Sequence, residues 1–152
     1  MSYDYYHMGS YSNEWCTRFA VWCARKALAV WEREFPEDKR PAQAIEAAQN
    51  WLDNPTTERK SIHSAAVAAN IAANSVDRNP LHDAAKAAFF AAYSANESVT
   101  YAGSASGRAA SALGITGADL FDEYKRFLDK RRNTISLQEL NAGLLCITSA
   151  KS

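Results

Sequence analysis

The sequence contains few of the residues that interrupt or cross-link a chain. Its 152 residues include only six glycines, four prolines and three cysteines. Three cysteines do not provide the even disulfide framework typical of small secreted domains, which favours a reducing compartment. Because glycine and proline commonly end helices, their scarcity predicts long uninterrupted elements.

An excess of charge of one sign is also absent, since 17 basic residues balance 17 acidic ones. This balance argues against a broad nucleic-acid-binding surface or a cationic membrane face, although it leaves room for a local patch. No run of about 18 apolar residues exists, so we expect no transmembrane helix. The first residues lack a basic region followed by an apolar run, and we therefore expect no signal peptide and a cytoplasmic location.

Alanine, in contrast, makes up about a fifth of the chain. Apolar residues recur every three or four positions, and β-branched residues never alternate over a long run, so the pattern predicts an all-α protein. We predict a single-domain bundle of six or seven mostly antiparallel, alanine-rich helices. The predicted helices cover residues 14–35, 41–53, 56–75, 81–96, 98–113, 117–131 and 137–147. The domain is expected to span residues 13–147, between a tyrosine-rich arm at 1–12 and a frayed tail at 148–152.

The apolar faces of these helices supply the predicted core. Its expected members are Phe19, Trp22, Trp31, Ile45, Trp51, Ala69, Phe89, Ala109, Leu120, Tyr124 and Leu128.

Local signals mark the boundary between the fifth and sixth helices. Gly114 suits the position just after a helix end. Thr116 and Asp119 resemble a capping box, with aspartate in place of the usual glutamate. Within the fifth helix, Gly103 and Gly107 are four residues apart. That spacing predicts the close approach of another backbone, either inside the protein or across a homodimer contact.

No motif for catalysis, metal binding or cofactor binding is found. Cys16 and Cys23 lie seven residues apart on one apolar face and are predicted to be small core residues. His7, His63 and His82 are scattered along the chain. His63 and His82 fall in the first turns of two helices and could be neighbours, but no ligand-type spacing accompanies them. We predict no catalytic residue, no metal and no cofactor.

Two sets of residues are candidates for binding a partner. The tyrosines of the arm could pack on the body or form an adhesive patch, because tyrosine is used in both ways. One acidic turn of the sixth helix could attract a basic partner, although such a turn is more often merely solvated. The candidates are Tyr5, Tyr6 and Tyr11 in the arm, and Asp119, Asp122 and Glu123 in the helix.

The second helix begins at a proline whose fixed backbone angle suits the first turn, Pro41. Ala44, Ala48 and Trp51 can share one of its faces. Glu46 lies among these apolar positions in the sequence, and we expect it to pair with an arginine, because an unpaired charge there is costly.

The stretch Asp38-Lys39-Arg40-Pro41, followed by Ala44-Ile45-Glu46-Ala47 and Trp51, resembles the signature of the immunity proteins of bacterial polymorphic toxin systems. The likeness is fairly specific over residues 23–51 and looser through about residue 112. It implies a small all-α protein, without enzymatic activity, that binds and inhibits a cognate toxin. The signature positions Asp38, Arg40, Pro41, Glu46 and Trp51 look architectural, so no active site is carried over. Relatives often carry histidines in the fifth helix, whereas residues 99–104 of this chain contain none.

Two other functions are considered beside this one. A phage-encoded inhibitor of a host defence complex, of the anti-CRISPR type, would also act by stoichiometric protein binding, and sequence chemistry does not separate the two. Both readings predict a protein partner and neither predicts direct contact with nucleic acid or membrane. An enzyme would require Asp38, Glu46, His63 and His82 to converge in one cleft.

Overall fold

Six helices form the regular structure of the chain as described by the computed structural model, which covers residues 13–54, 59–77, 79–96 and 100–130. The helices are α1 (Asn13–Glu34), α2 (Arg40–Asp53), α3 (Arg59–Asn74), α4 (Asn79–Asn96), α5 (Thr100–Leu113) and α6 (Gly117–Lys130). No strand occurs within these ranges, and the predicted all-α class is confirmed. The arm at 1–12, the helix predicted at 137–147 and the tail at 148–152 lie outside the described residues.

The central helix of the bundle is α4, because it contacts α1, α2, α3 and α5. Most of its buried positions are alanines, each at most 3% exposed: Ala84, Ala85, Ala87, Ala88, Ala91, Ala92 and Ala95. Such small side chains allow the axes of neighbouring helices to come close together. The stripe of α4 that its neighbours leave uncovered carries Lys86, Phe89, Phe90 and Tyr93, all half-buried.

Large aromatic side chains, rather than alanines, join α6 to α1. The ring of Phe19 on α1 lies 5.5 Å from that of Phe121 and 4.9 Å from that of Tyr124. Trp22 contacts Tyr124 at 5.1 Å and Phe127 at 5.9 Å between ring centroids. Phe19 and Phe121 are buried, so this junction forms one end of the core.

Seven of the predicted core residues are buried and the other four are half-buried against the core. The half-buried ones are Trp22, Trp51, Phe89 and Leu128. Cys16 and Cys23 are buried in the core, as predicted, and neither forms a disulfide with a described residue. Burial raises the pKa of the Cys16 thiol to about 12 and that of Cys23 well above its ordinary value.

The turn between α5 and α6 follows the local signals of the sequence. Gly114 has a φ of +73°, and the N–H of Ile115 donates to the carbonyl of Ala110 at 3.0 Å, which is the Schellman arrangement. The N–H of Asp119 donates to Thr116 Oγ1 at 3.0 Å, while the Thr116 N–H donates to Asp119 Oδ2 at 3.4 Å. The predicted capping box is therefore present.

The expectation for Glu46 is wrong. Its side chain is exposed and forms no ion pair with a described residue, because it lies on the side of α2 away from the buried Ala44 and Ala48. For the fifth helix, Gly103 is buried and α5 packs against α1 and α4, so this small-residue face is used inside the protein.

Candidate functional site

The signature residues Asp38 and Arg40 hold the connection between α1 and α2. The Asp38 carboxylate accepts hydrogen bonds from Arg40 Nε at 2.9 Å, Arg40 Nη2 at 2.6 Å and the Arg40 backbone N–H at 3.2 Å. The indole N–H of Trp31 donates to the Asp38 carbonyl at 3.1 Å, and Pro41 is buried in the first turn of α2. These contacts fix the entry into α2. The hydrogen bonds from Arg40 also hold the pKa of the Asp38 carboxyl below its usual range.

Replacing Asp38 with asparagine is expected to lower the free energy of unfolding by about 1–2 kcal/mol at pH 7, because charge-assisted hydrogen bonds are lost. The pKa of the Asp38 carboxyl is lower in the folded state than in the unfolded state, where it is about 4. The wild type therefore has this stabilisation in full above about pH 4 and loses it as the pH falls towards the folded-state pKa. The difference between wild type and Asp38→Asn should therefore shrink as the pH falls from 5 to 3. Urea unfolding at several pH values measures it.

The matched control for this pH dependence is Asp53→Asn at the other end of α2. Asp53 is exposed and accepts one hydrogen bond from Gln49 at 3.1 Å. We expect its replacement to change stability by no more than about 0.5 kcal/mol. An Asp38→Asn difference that stays constant down to pH 3 would contradict the role assigned to the carboxylate.

The acidic residues predicted to bind a partner lie on α6, and each has a contact within the protein. Asp119 closes the capping box described above. Asp122 pairs with Lys125 at 3.6 Å, and Glu123 pairs with Lys26 of α1 at 3.3 Å. All three stay partly accessible to solvent. The predicted Tyr5, Tyr6 and Tyr11 lie outside the described residues.

His63 and His82 are not neighbours. His63 stacks on Tyr93 with ring centroids 5.9 Å apart, whereas His82 Nδ1 lies 2.8 Å from the carbonyl of Ala73. Ten residues of helix separate His63 from Ala73, which is about 15 Å. Because α3 and α4 run antiparallel, their first turns lie at opposite ends of the pair. His63 and His82 therefore do not meet in one cleft, which the enzyme hypothesis requires of them.

A surface that the sequence did not single out lies where α3, α4 and α5 run side by side. Its rings form a continuous set: Phe89 contacts Phe90 at 4.9 Å and Tyr93 at 4.5 Å, and Tyr101 of α5 contacts Phe90 at 5.8 Å and Tyr93 at 5.2 Å. Two exposed aliphatic residues of α3 extend it. We call this surface the aromatic–basic face and define it by His63, Val67, Ile71, Lys86, Phe89, Phe90, Tyr93, Tyr101 and Arg108.

The two cations of this face meet at one turn of α4, because Arg108 pairs with Asp83 and Asp83 lies three residues before Lys86. Lys86 Nζ lies 5.2 Å from the centroid of the Phe89 ring and donates to Asn70 Oδ1 of α3. Arg108 Nη1 donates to the buried Asp83 at 2.8 Å, and Ser111 donates to the other oxygen of that carboxylate. Burial, together with the charge of Arg108, lowers the pKa of Lys86.

The sequence predicts Phe89 as a core residue because it follows the alanines of the fourth helix at helical spacing. In the structure its ring packs half-buried against the core, and its other side lies beside Tyr93 in this face. One signal in the sequence could have revealed the surface. Val67 and Ile71 are apolar yet lie off the stripe of Ile62, Ala66 and Ala69 that α3 buries.

Within the described residues, no group of three or more histidine, cysteine, aspartate or glutamate side chains is placed to hold a metal ion. None of the helices in the described ranges is both long and apolar enough to cross a membrane.

Comparison with known proteins gives one match. A family model described as "Imm-5 like putative immunity protein" matches residues 7–138. No curated protein and no solved structure matches the chain.

Proposed function

The chain belongs to the Imm-5 like putative immunity protein family, and from that premise we propose that it neutralises a cognate bacterial toxin by binding to it directly. The observation that carries this proposal is the extent of the family match, which reaches from residue 7 to residue 138. Inhibition then depends on occupying a surface of the toxin and requires no chemistry from this chain. We place this action in the cytoplasm, where free thiols such as Cys16 and Cys23 stay reduced.

The aromatic–basic face supports a binding function. Interface cores are enriched in tyrosine, phenylalanine and arginine, and a few such residues carry most of the binding energy. Tyr93, Tyr101, Phe90 and Arg108 are of these types and are all half-buried, so part of each side chain is accessible. The tyrosines of the arm, Tyr5, Tyr6 and Tyr11, and the acidic turn of α6, with Asp119, Asp122 and Glu123, remain the contact surfaces predicted from the sequence.

The test begins with affinity purification of the tagged protein from its own host. Each captured protein is then expressed alone, and next together with this chain, in a bacterium that lacks both. We expect one captured protein to stop growth when alone and to be harmless in the presence of the chain. Light scattering should give a one-to-one complex. An unrelated helical protein of similar size serves as the control and should not restore growth.

Titration distinguishes binding from catalysis. If the chain acts by occupying the toxin, inhibition of the purified toxin should be complete at one equivalent and should decline in proportion below it. Full inhibition at a small fraction of an equivalent would contradict the proposal, because it indicates turnover. Capture of a multi-subunit nuclease complex, without any growth-inhibiting protein, would favour a defence inhibitor instead.

A further inference from the structure

We propose that the aromatic–basic face is the surface that docks the toxin, and that it receives an acidic patch of the toxin with an apolar side chain at its centre. This inference rests on the proposed function and adds to it the location of the site and the chemistry of the partner. It assigns binding to α3, α4 and α5, and not to the acidic turn of α6.

The first observation is the apolar exposure along α3. Among the described residues, the exposed large hydrophobic side chains are Val67, 38% exposed, and Ile71, 56% exposed. His63 meets Tyr93 and Asn70 meets Lys86, so Val67 lies level with the middle of the uncovered stripe of α4. Val67 and Ile71 therefore extend the apolar surface that the aromatic rings of α4 and α5 form. A contiguous patch of this kind typically marks an interaction site.

The second observation is the charge of these three helices. Asp83 is the only acidic residue within α3, α4 and α5, whereas the same helices carry Arg59, Lys60, Lys86 and Arg108. Asp83 is buried beneath Arg108 and Ser111 and offers little negative charge to the surface. Lys86 and Arg108 belong to the face itself, and with Asp83 buried the face is basic on a protein whose formal net charge is zero.

The proximity of Lys86 to Arg108 points to a carboxylate in the partner. Burial takes part of the hydration from Lys86, and the charge of Arg108 adds to this effect, so the pKa of the lysine is lowered. A carboxylate brought against them relieves the repulsion between the two cations and replaces the lost hydration. The aromatic rings beside it exclude water and strengthen that contact.

Other occupants fit this face less well. A second copy that paired through the same face would bring Lys86 and Arg108 towards the equivalent residues of the first, and like charges across an interface are unfavourable. A nucleic acid would stack on the rings, but its affinity depends on many phosphate contacts, and the face as defined offers two cations, Lys86 and Arg108.

Lys86 has a matched control outside the face, Lys26 of α1. Lys26 Nζ lies 5.1 Å from the Trp22 ring and pairs with Glu123 of α6. Each lysine thus lies over an aromatic ring, but only Lys86 belongs to the proposed face. We expect Lys86→Gln to weaken toxin binding at least tenfold and Lys26→Gln to change it less than twofold. Ile71→Ala, at an exposed position, should weaken binding about fivefold while the melting temperature stays unchanged.

A second probe makes the test independent of the toxin. A glutamate–tyrosine copolymer supplies carboxylates and rings, a lysine–tyrosine copolymer reverses the charge, and oligothymidylate represents nucleic acid. We expect the wild type to bind the acidic copolymer, with affinity that falls as salt rises, and Lys86→Gln to bind it at least fivefold more weakly. Lys26→Gln should bind it as the wild type does.

The outcomes separate the two proposals. Toxin binding that depends on Lys26 or Glu123, and not on Lys86, would overturn the assigned face and leave the toxin-inhibitor function intact. Binding of the acidic copolymer through Lys86, without any growth-inhibiting partner, would overturn that function and support the face. Stronger binding of oligothymidylate, or a dimer that Lys86→Gln dissociates, would overturn the face as a site for an acidic protein.

Discussion

Replacing Phe19 with alanine is expected to lower the free energy of unfolding by about 4 kcal/mol, because a fully buried aromatic ring is lost. The ring is 0% exposed and contacts Trp15, Phe121 and Tyr124 with centroids 4.9–5.9 Å apart. Its loss leaves a cavity between α1 and α6 and removes the ring contacts that hold α6. Urea unfolding followed by far-ultraviolet circular dichroism measures the change.

The control for Phe19→Ala is Phe127→Ala at the rim of the same junction. Phe127 is half-buried and contacts Trp22 and Tyr124, so its removal exposes less new surface. We expect about half the loss found for Phe19, because a partly solvated site leaves no closed cavity. Equal losses for the two variants would mean that α6 is not anchored through the buried ring.

The helices and their ends were predictable because the signals that set them are local. A glycine at positive φ needs only its own backbone freedom, and Gly114 ends α5 as the sequence predicts. The capping box of Thr116 and Asp119 needs a spacing of three residues and nothing beyond it. Interactions between residues so close along the chain can be predicted from the sequence alone.

The error for Glu46 came from reading proximity along the chain as proximity on a helix. Each residue turns by about 100° around the axis, so Glu46 lies about 200° from both Ala44 and Ala48. Those alanines are buried and Glu46 is exposed. The helical period that predicts α2 thus also predicts that the Glu46 carboxylate faces solvent.

The aromatic–basic face could not be derived from one helix at a time. Phe89 and Tyr93 are apolar and fall at helical spacing, which fits a core position equally well. Which side of α4 stays open depends on how α1, α2, α3 and α5 surround it, and that is a property of the tertiary packing. The separation of His63 and His82 also depends on tertiary packing. Their helices, α3 and α4, run antiparallel, so the two first turns lie at opposite ends of the pair.

The abundance of alanine has a direct consequence for α4. Replacing Ala88 with leucine is expected to lower the free energy of unfolding by about 3 kcal/mol, because the added carbons meet helices that already pack closely. Ala88 is 0% exposed on the helix that contacts four neighbours. Leucine and alanine have similar helix propensity, so the loss reports packing and not the helix itself. Thermal and urea unfolding measure it.

Ala29→Leu on α1 provides the matched comparison for Ala88→Leu. Ala29 is exposed, so the same change of side chain adds volume only towards solvent, and we expect a shift within about 0.5 kcal/mol. If both variants are equally stable, the space around α4 must accommodate a leucine. The small size of alanine would then not determine how closely the helices pack around α4. It would also not explain why the stripe with Lys86 and Phe90 is left uncovered. If only Ala88→Leu is destabilised, the alanines that let four helices reach α4 also determine which of its sides is left for a partner.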